Sequence, residues 1–530
     1  MFKKLLAILL ACLLMIPCGL ALAEDAEALT SGDFEYTLNA DGSVTITEYS
    51  GEAESLTIPA ELDGHPVTAI GDIAFFRCEA LTGVTIPDSV TSIGANPFAY
   101  CEQLTQISVS ANHPTLATID GVLFDKTTRT LLCYPCAFTE ESYAVPEGIQ
   151  AIGGEAFSGC EALRSITLPD TLTSIGNSAL SSCTALTDLA IPASVASIGD
   201  RAFSYCDSLS SITLPNGLTS IGNSVFSHCS SLTSVTIPDS VSYIGDGAFS
   251  NCEALSSITL PDTLTSIGVN PFELCGQLTQ IDVSPDNPAL ATIDGVLFDK
   301  TTRTLLCYPR AFTEESYAVP EGIQAIAAYA FSNCVSLTSV TLPGSLTSIG
   351  ETAFFRCESL ASVTIPGSVA SIGRNAFVGC TSLTSATIQD GVTTIGDNMF
   401  SHCDALTDLI IPASVTSIGE WAFYYCESLT SITLPDSVTS IGNSAFSSCK
   451  SLTGITLPDS LSSIGDKAFL WCESLTSLAL PDSVASIGAD AFVKCPNLTL
   501  TVSRDSYAAE YAKAAGIPYA YPDSMDWLNG

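Results

Sequence analysis

Cysteine is the residue of this 530-residue chain whose spacing most invites a chemical interpretation. Sixteen cysteines follow one another 23 residues apart in three runs: Cys78 to Cys101, Cys160 to Cys275 and Cys334 to Cys495. Thiolates are nucleophiles, metal ligands and disulfide partners. A position repeated this regularly is, however, typical of an inward-facing residue, and free cysteine packs as a small hydrophobe. We therefore favour a ladder of buried free thiols, with disulfides between neighbouring repeats as the open alternative.

One further pair of cysteines has the spacing of a redox or metal site. Cys133 and Cys136 form the motif CYPC, which could be a redox pair or half of a zinc site. A nearly identical segment later in the chain reads CYPR, with Arg310 in the place of Cys136. Because no second pair of ligands is visible, the sequence predicts neither a metal nor another cofactor.

The many serines and threonines do not form a recognisable hydrolytic site. Ser-His-Asp catalysis needs a nucleophile, a base and an oxyanion donor that converge. The four histidines, His65, His113, His228 and His402, are far apart along the chain. The sequence therefore predicts a protein that is not an enzyme, and a hydrolase is the least favoured of the functions considered.

The elements that position these residues are short and recur with small changes. Residues 429–449 read LTSITLPDSVTSIGNSAFSSC. LTSITL alternates as a strand does and ends at a proline, which cannot donate to a ladder. VTSIG predicts a second short extended piece, and NSAFSSC predicts one helical or 3₁₀ turn. The expected core residues are Ile441, Phe446 and Cys449 here, and Ile418, Phe423 and Cys426 one repeat earlier.

A single repeat cannot bury its apolar side, whereas stacked repeats can, because equivalent side chains meet one repeat away. The isoleucine eight residues before the cysteine is present in all 16 regular repeats, and only Leu180 replaces the phenylalanine three residues before it. The sequence thus predicts a repeat solenoid.

These motifs, L-x-x-I-x-L-P and then I-G-x-x-A-F-x-x-C, resemble the BspA-like class of bacterial leucine-rich repeats. The resemblance covers residues 55–500, which we predict to be the solenoid. It implies a right-handed horseshoe or rod with a parallel β-sheet on one face and short strands or 3₁₀ turns on the other. It also implies export from the cell and, as in some members of the class, adhesion to host matrix proteins.

The N-terminus predicts export independently of the repeats. Residues 1–23 have the positive start, the apolar core and the small-residue cleavage site of a signal peptide. Cleavage after Ala23 is favoured over lipidation of Cys12 or Cys18. Beyond this segment the sequence contains no apolar run long enough to span a membrane.

Both ends of the solenoid are expected to carry caps, since an open stack exposes strand edges. Residues 24–54 predict an N-terminal hairpin that turns at Asp41-Gly42. Residues 501–530 predict a C-terminal cap with a short helix that Gly516 ends.

Two duplicated inserts, about 111–142 and 285–316, lengthen the interval between repeat cysteines from 23 to 59 residues. Their alternation predicts hairpins that turn near Asp125-Lys126 and Asp299-Lys300. We favour irregular coils within the stack over protruding binding elements.

An aromatic group near the C-terminal end is the most specific candidate ligand site. Its members are Trp421, Tyr424, Tyr425, Leu470 and Trp471. Repeat spacing places the two parts roughly 10 Å apart on one edge. Exposed Trp and Tyr are enriched in binding hot spots, although these rings could instead cover the flank of the solenoid.

The outward hydroxyls of the sheet strands are a second candidate site, less favoured than a plain solvated surface. They are represented by Ser385, Thr387, Ser431 and Thr433. Aspartates follow many of the strand prolines, and a calcium-binding ladder is possible there. Without EF-hand spacing, a solvated acidic surface is the favoured interpretation.

The charge balance excludes some partners. With 17 basic and 56 acidic residues the net charge is −39, which opposes binding to nucleic acid and to anionic membranes. We therefore expect a monomeric, non-enzymatic protein, secreted or on the cell surface, that binds an extracellular protein or glycan. A structural spacer of the cell envelope without a specific ligand is the alternative.

Overall fold

The chain winds into a β-solenoid of about 21 turns, with parallel strands stacked from coil to coil. The computed structural model describes residues 28–522, so the expected signal peptide lies outside the described residues. The number of turns exceeds the 16 regular repeats because the N-terminal cap and the inserts add turns of their own.

The secondary structure consists of very short strands and one helix. The first part contains β1 (Leu29–Ser31), β2 (Phe34–Leu38), β3 (Val44–Tyr49), β4 (Ser55–Thr57), β5 (Glu61–Leu62), β6 (His65–Ile70), β7 (Gly83–Ile86), β8 (Ser92–Ile93) and β9 (Gln106–Val109). The first insert contains β10 (Leu116–Ile119), β11 (Val122–Asp125) and β12 (Thr130–Cys133). The middle part contains β13 (Ser142–Ala144), β14 (Ala151–Ile152), β15 (Ser165–Thr167), β16 (Ser174–Ile175), β17 (Asp188–Ala190), β18 (Ser197–Ile198), β19 (Ser211–Thr213), β20 (Ser220–Ile221), β21 (Ser234–Thr236), β22 (Tyr243–Ile244), β23 (Ser257–Leu260), β24 (Ser266–Ile267) and β25 (Gln280–Val283).

The second half of the chain repeats this order. The second insert contains β26 (Leu290–Ile293), β27 (Val296–Asp299) and β28 (Thr304–Cys307). The last part contains β29 (Ser316–Ala318), β30 (Ala325–Ile326), β31 (Ser339–Thr341), β32 (Ser348–Ile349), β33 (Ser362–Ile365), β34 (Ser371–Ile372), β35 (Ser385–Ile388), β36 (Thr394–Ile395), β37 (Asp408–Ile410), β38 (Ser417–Ile418), β39 (Ser431–Thr433), β40 (Ser440–Ile441), β41 (Gly454–Thr456), β42 (Ser463–Ile464), β43 (Ser477–Ala479), β44 (Ser486–Ile487), β45 (Thr499–Thr501), α1 (Tyr507–Ala515) and β46 (Tyr519–Ala520).

Each regular coil contributes one strand to each of two parallel stacks. In the first stack β39 pairs with β41 of the next coil, and in the second stack β40 pairs with β42. The first strand exposes its outer residues and buries its central one, as the alternation predicts. The expected parallel sheet and the expected short opposing strands are therefore both present.

The third side of the coil is a chain of tight turns. In residues 444–448 the backbone adopts left-handed conformations at Ser444 (φ 53°) and Ser448 (φ 63°). The N–H groups of Ser444, Phe446 and Ser448 donate to carbonyls of the next coil at 2.7–2.8 Å. Cys449 closes a 3₁₀-type bond onto the Phe446 carbonyl at 3.2 Å. These bonds between coils interrupt any continuous helix, and they offset the steric cost of left-handed non-glycine residues.

Phenylalanine rings form long stacks along the interior, from Phe203 to Phe272 and from Phe331 to Phe492. The rings of Phe423 and Phe446 lie parallel, with centroids 5.2 Å apart and 12° between their planes. Ile441, Phe446 and Cys449 are at most 2% exposed, and their counterparts Ile418, Phe423 and Cys426 are equally buried. All six residues that the sequence assigned to the core lie in it.

In most regular coils the close approach of the preceding coil depends on the glycine that follows the second strand. A Cβ atom on Gly442 would lie 2.6 Å from the carbonyl carbon of Gly419 and 2.7 Å from the backbone nitrogen of Glu420. Real Cβ contacts are not this short, so only glycine lets the neighbouring backbone approach.

The two inserts lie inside the stack as layers. β11 pairs antiparallel with both β10 and β12, so the hairpin near Asp125-Lys126 is joined by a second turn at Asp120-Gly121. The side chain of Leu123 packs in the first core cluster, whereas those of Val122 and Phe124 pack in the second. All three are at most 3% exposed, so the insert forms a buried layer that separates the two core clusters.

Caps close both ends of the described chain. β2 and β3 form the expected hairpin around Asp41-Gly42, and β1 adds a third antiparallel strand. At the other end Ser506 caps α1 by accepting from the Ala509 N–H, and Gly516 ends the helix at φ 68°. Within residues 28–522 no helix is long and apolar enough to cross a membrane.

Candidate functional site

The residue immediately before each repeat cysteine lies on one margin of the solenoid, which we call the turn edge; most of these residues are exposed or half-buried, whereas Gly379 and Ser448 are buried. Tyr425 (φ 60°) and Trp471 (φ 62°) are left-handed there, and their N–H groups bond to Ser447 and Val493 of the following coils at 3.0 Å. The backbone is therefore fixed at the same point in every coil. Side chains on the turn edge consequently follow one another at the coil spacing of about 4.8 Å.

Aromatic side chains on the turn edge stack on one another. The rings of His402 and Tyr425, one coil apart, have centroids 4.8 Å apart and an angle of 14°. Tyr424 packs edge-on against Tyr425 at 4.5 Å and against His402 at 5.5 Å. Such parallel and edge-on arrangements are those that aromatic quadrupoles favour. The three rings form a rigid group, which we call the C-terminal ring group.

Cations accompany the rings at this end of the solenoid. The Lys450 amine lies 6.0 Å from the Tyr425 ring centroid and donates to a Glu427 carboxylate oxygen at 2.6 Å. That hydrogen bond raises the pKa of Lys450, so its positive charge is held beside the ring. Lys494 lies 5.3 Å from the Trp471 ring, again within cation–π range.

The aromatic residues that the sequence grouped together lie on two different lines. Trp421 and Trp471 are both 43% exposed. Trp421, however, is five residues before its repeat cysteine, whereas Tyr425 and Trp471 are directly before theirs. Tyr424 and Leu470 are half-buried, one position further back from the turn edge. The structure thus brings Tyr424 and Tyr425 into contact. Trp421 lies on a separate row of side chains, parallel to the turn edge.

Two further ring groups on the turn edge were missed by the sequence analysis. Arg77 lies 5.3 Å from the Phe76 ring and 5.8 Å from the Tyr100 ring. Tyr205 and His228 stack at 4.2 Å with 9° between their rings. Aligning the residue before each cysteine across all repeats would have revealed both groups, because the shared backbone position is what brings them together.

The sheet hydroxyls proposed as a second site fall into two separate places. Ser431 and Thr433 are exposed in β39, whereas Ser385 and Thr387 are half-buried in β35, which belongs to a different sheet. Ser431 and Thr433 form no side-chain hydrogen bond within residues 28–522, so their hydroxyls are available to solvent. Ile410, 60% exposed, lies beside Thr387 and adds an apolar spot to that face.

The comparison with protein families identifies the family of the chain. The model of the BspA type leucine rich repeat region matches residues 48–131, 132–242, 219–305, 306–428 and 393–508. These segments span most of the chain. The chain belongs to the BspA-type leucine-rich repeat family.

Solved structures similar to this BspA-type chain come from several bacteria. A leucine rich cell surface protein from Faecalibacterium prausnitzii A2-165 is 27% identical, with 96% of this chain and 97% of that chain covered and a TM-score of 0.38. A leucine-rich repeat protein from Bacteroides ovatus is 25% identical, with coverages of 87% and 99% and a TM-score of 0.35. The pneumococcal vaccine antigen PcpA is 18% identical, with coverages of 94% and 99% and a TM-score of 0.39. None of the curated proteins matches the chain.

The cysteines of this BspA-type solenoid act mainly as buried hydrogen-bond donors. The thiol of Cys426 donates to the Phe400 carbonyl of the preceding coil at 3.2 Å, and most repeat cysteines do the same. Burial raises the pKa of Cys449 to about 12, which suppresses the reactive thiolate. The fully buried thiols of the ladder are thus held in the protonated form.

The CYPC motif does not converge into a redox or metal pair. Cys133 packs in the first core cluster, whereas Cys136 turns toward Cys160 of the next coil. Among the residues that the structure describes, no three His, Cys, Asp or Glu side chains are close enough to hold a metal. Two of the histidines are engaged structurally: His113 bonds the Pro87 carbonyl and accepts from the Leu116 N–H, and His65 bonds the Gly42 carbonyl.

Proposed function

We propose that this protein is an exported, non-enzymatic member of the BspA-type family that binds an extracellular protein or glycan as a monomer. It acts in secreted form or on the cell surface. The observation that carries the proposal is the row of outward rings and cations on the turn edge, from His402 and Tyr425 to Trp471 and Lys494.

The turn edge supplies the chemistry of a binding surface. The rings of Tyr425 and Trp471 are held by a backbone that is hydrogen-bonded on both sides, so little conformational entropy is lost when a ligand contacts them. Aromatic side chains fixed in this way are the usual anchors of protein interfaces, and their faces also suit the apolar faces of sugars.

Charge restricts the ligands that fit this surface. Only 17 residues of the chain are basic, and Arg77, Lys450 and Lys494 are among those that lie against rings of the turn edge. The rest of the molecule is strongly acidic, so a highly anionic polymer would be repelled at long range. A neutral glycan or a protein surface with few acidic residues matches the edge better.

Repetition compensates for weak single contacts. The same backbone position recurs in each coil, and exposed ring groups also lie around Tyr100 and Tyr205. A long ligand could contact several groups at once, and the effective concentration after the first contact raises the overall affinity. The exposed hydroxyls of Ser431 and Thr433 offer a second, hydrogen-bonding face.

The proposal is tested by a binding screen of the chain from residue 24 onward against immobilised matrix proteins, mucins and neutral glycans. The wild type is compared with the double variant Trp421→Ala/Trp471→Ala and with Ser431→Ala/Thr433→Ala. Tyr243→Ala is the matched control, because Tyr243 is an exposed tyrosine in β22, away from the turn edge. Circular dichroism checks that each variant is folded.

Saturable binding that the tryptophan variant loses and the Tyr243 variant keeps would support recognition through the exposed aromatic residues, and the single variant Trp471→Ala then separates the turn edge from Trp421. Periodate treatment of the immobilised target, which destroys sugars, separates glycan from protein ligands. Failure of every target to bind saturably would contradict the proposal and favour a spacer of the cell envelope.

A further inference from the structure

The thiol of Cys160 has a different partner from most thiols of the ladder. In the regular coils the sulfur donates to the carbonyl of the preceding coil, as Cys183 does to Phe157 at 3.2 Å. Cys160 is 3.8 Å from the corresponding carbonyl of Tyr134, and its Sγ lies 2.7 Å from the Sγ of Cys136. Two sulfurs this close need only a small movement to reach bonding distance.

The first insert produces this geometry. Tyr134 takes the place of the repeat phenylalanine, and its ring stacks on Phe157 at 5.1 Å. The chain then turns at the CYPC motif, so that Cys136 enters the gap above Cys160 and approaches the Ser158 carbonyl at 3.1 Å. Cys136 is half-buried whereas Cys160 is buried, so an oxidant reaches Cys136 first.

We propose that Cys136 and Cys160 form a disulfide when the protein meets a low-molecular-weight disulfide such as glutathione disulfide. The Cys136 thiolate attacks one sulfur of that disulfide and releases one thiol. The Cys160 sulfur then attacks Cys136, its proton passes to the departing thiolate, and the second thiol is released. Two cysteine thiols are oxidised, and one small disulfide is reduced to two thiols.

The cross-link would lie at the boundary between two core clusters of the solenoid. Residues 122–133 separate the first core cluster from the second, and the Cys136–Cys160 bond would tie the irregular coil to the first regular coil beyond it. The second insert cannot form this bond, because Arg310 occupies the position that corresponds to Cys136. Cys334 occupies the position that corresponds to Cys160. The second insert of the same chain is therefore an internal control for the cross-link.

The test starts from the reduced, folded chain and exposes it to glutathione disulfide. The remaining thiols are then alkylated in denaturant, and the peptides are mapped by mass spectrometry. We expect a peptide pair linked through Cys136 and Cys160, while Cys334 is alkylated. Cys136→Ser should abolish this link and leave Cys160 alkylated.

Arg310→Cys is the complementary gain-of-function variant. It should produce a second link, from the substituted position to Cys334, and raise the urea concentration needed to unfold the oxidised protein. The proposal is overturned if Cys136 and Cys160 are both alkylated after oxidation. It is also overturned if Cys136 retains glutathione, or if links form only between other ladder cysteines. None of these outcomes depends on the ligand-binding proposal, so the two can fail separately.

Discussion

The thiol of Cys449 donates to the backbone carbonyl of Phe423, 3.2 Å away in the preceding coil. The same bond recurs from Cys426 to Phe400 and from Cys472 to Phe446. The thiol thus fills apolar volume and adds a bond between coils to a carbonyl that already accepts a backbone N–H of its own coil, as the Phe423 carbonyl does from Cys426 at 3.2 Å. The regular spacing of cysteine follows from this bond between coils.

We predict that the protein loses stability in alkali because of its buried thiols. Burial raises the pKa of Cys206, Cys380 and Cys449 from 9.0 to about 12. The unfolded chain therefore releases protons above pH 9 that the folded chain retains, and stability that is complete below pH 9 declines as the pH rises toward 12. Urea titrations at pH 8 and pH 10.5 measure the difference.

The matched control for the alkaline effect is Cys449→Ala, which removes one titrating thiol. Its urea midpoint should fall less steeply with pH than that of the wild type. The difference corresponds to up to one proton fewer released on unfolding. A midpoint that is unchanged between pH 8 and pH 10.5 in the wild type would contradict buried, protonated thiols.

Gly442→Ala is expected to destabilise the solenoid strongly. The added Cβ would lie 2.6 Å from the Gly419 carbonyl carbon, so neighbouring coils would have to separate. Overpacking of this kind costs about 1–3 kcal/mol or more. Gly454→Ala is the control, because nothing lies within 4 Å of the corresponding Cβ position. Equal unfolding midpoints for the two variants would show that the close approach is not important.

Phe446→Ala should lower the free energy of unfolding of its region by about 3–5 kcal/mol, because it opens a cavity in the ring stack. Phe446 stacks on Phe423 at 5.2 Å and on Phe469 at 5.4 Å. Phe446→Leu should cost much less, since Leu180 occupies the equivalent position of another coil and is fully buried there. Hydrogen exchange of amides near residue 446 measures both effects, and equal losses would be inconsistent with cavity formation.

His228 should titrate below the ordinary histidine value of 6.5. Burial lowers its pKa, with Asp207 and Glu253 acting in the opposite direction. Because the folded state resists protonation, the contribution to stability is complete above pH 6.5 and declines as the pH falls through the folded pKa. NMR titration of the ring protons measures this value directly, and a pKa above 6.5 would mean that the acidic neighbours outweigh burial.

Tyr425→Ala should weaken the proposed ligand binding by about tenfold or more, the scale expected for a hot-spot ring. The ring is the common neighbour of His402, Tyr424 and Lys450 in the C-terminal ring group, so its loss also disperses their stacking. Surface plasmon resonance with the target found in the screen measures the change. Tyr243→Ala serves again as the control. An equal loss of affinity in that variant would show that the turn edge is not the binding site.

The repeated spacing was enough to predict the architecture of the chain. A side chain such as Ile441 or Phe446 recurs every 23 residues, and the only way to bury it is against its own equivalents. The capping hairpin around Asp41-Gly42 and the helix that ends at Gly516 were also predictable, because turn and cap chemistry is local.

The sequence by itself thus determined the solenoid, its core ladder and its caps. The tertiary structure alone decided that β11 divides the interior into clusters, that Cys136 meets Cys160, and that Tyr425 rather than Trp421 joins the ring group. The physical reason is that period and alternation fix which side chains point inward. The left-handed turn residues and the hydrogen bonds between coils fix where the outward side chains lie, and these depend on neighbours that are a full coil away in the sequence.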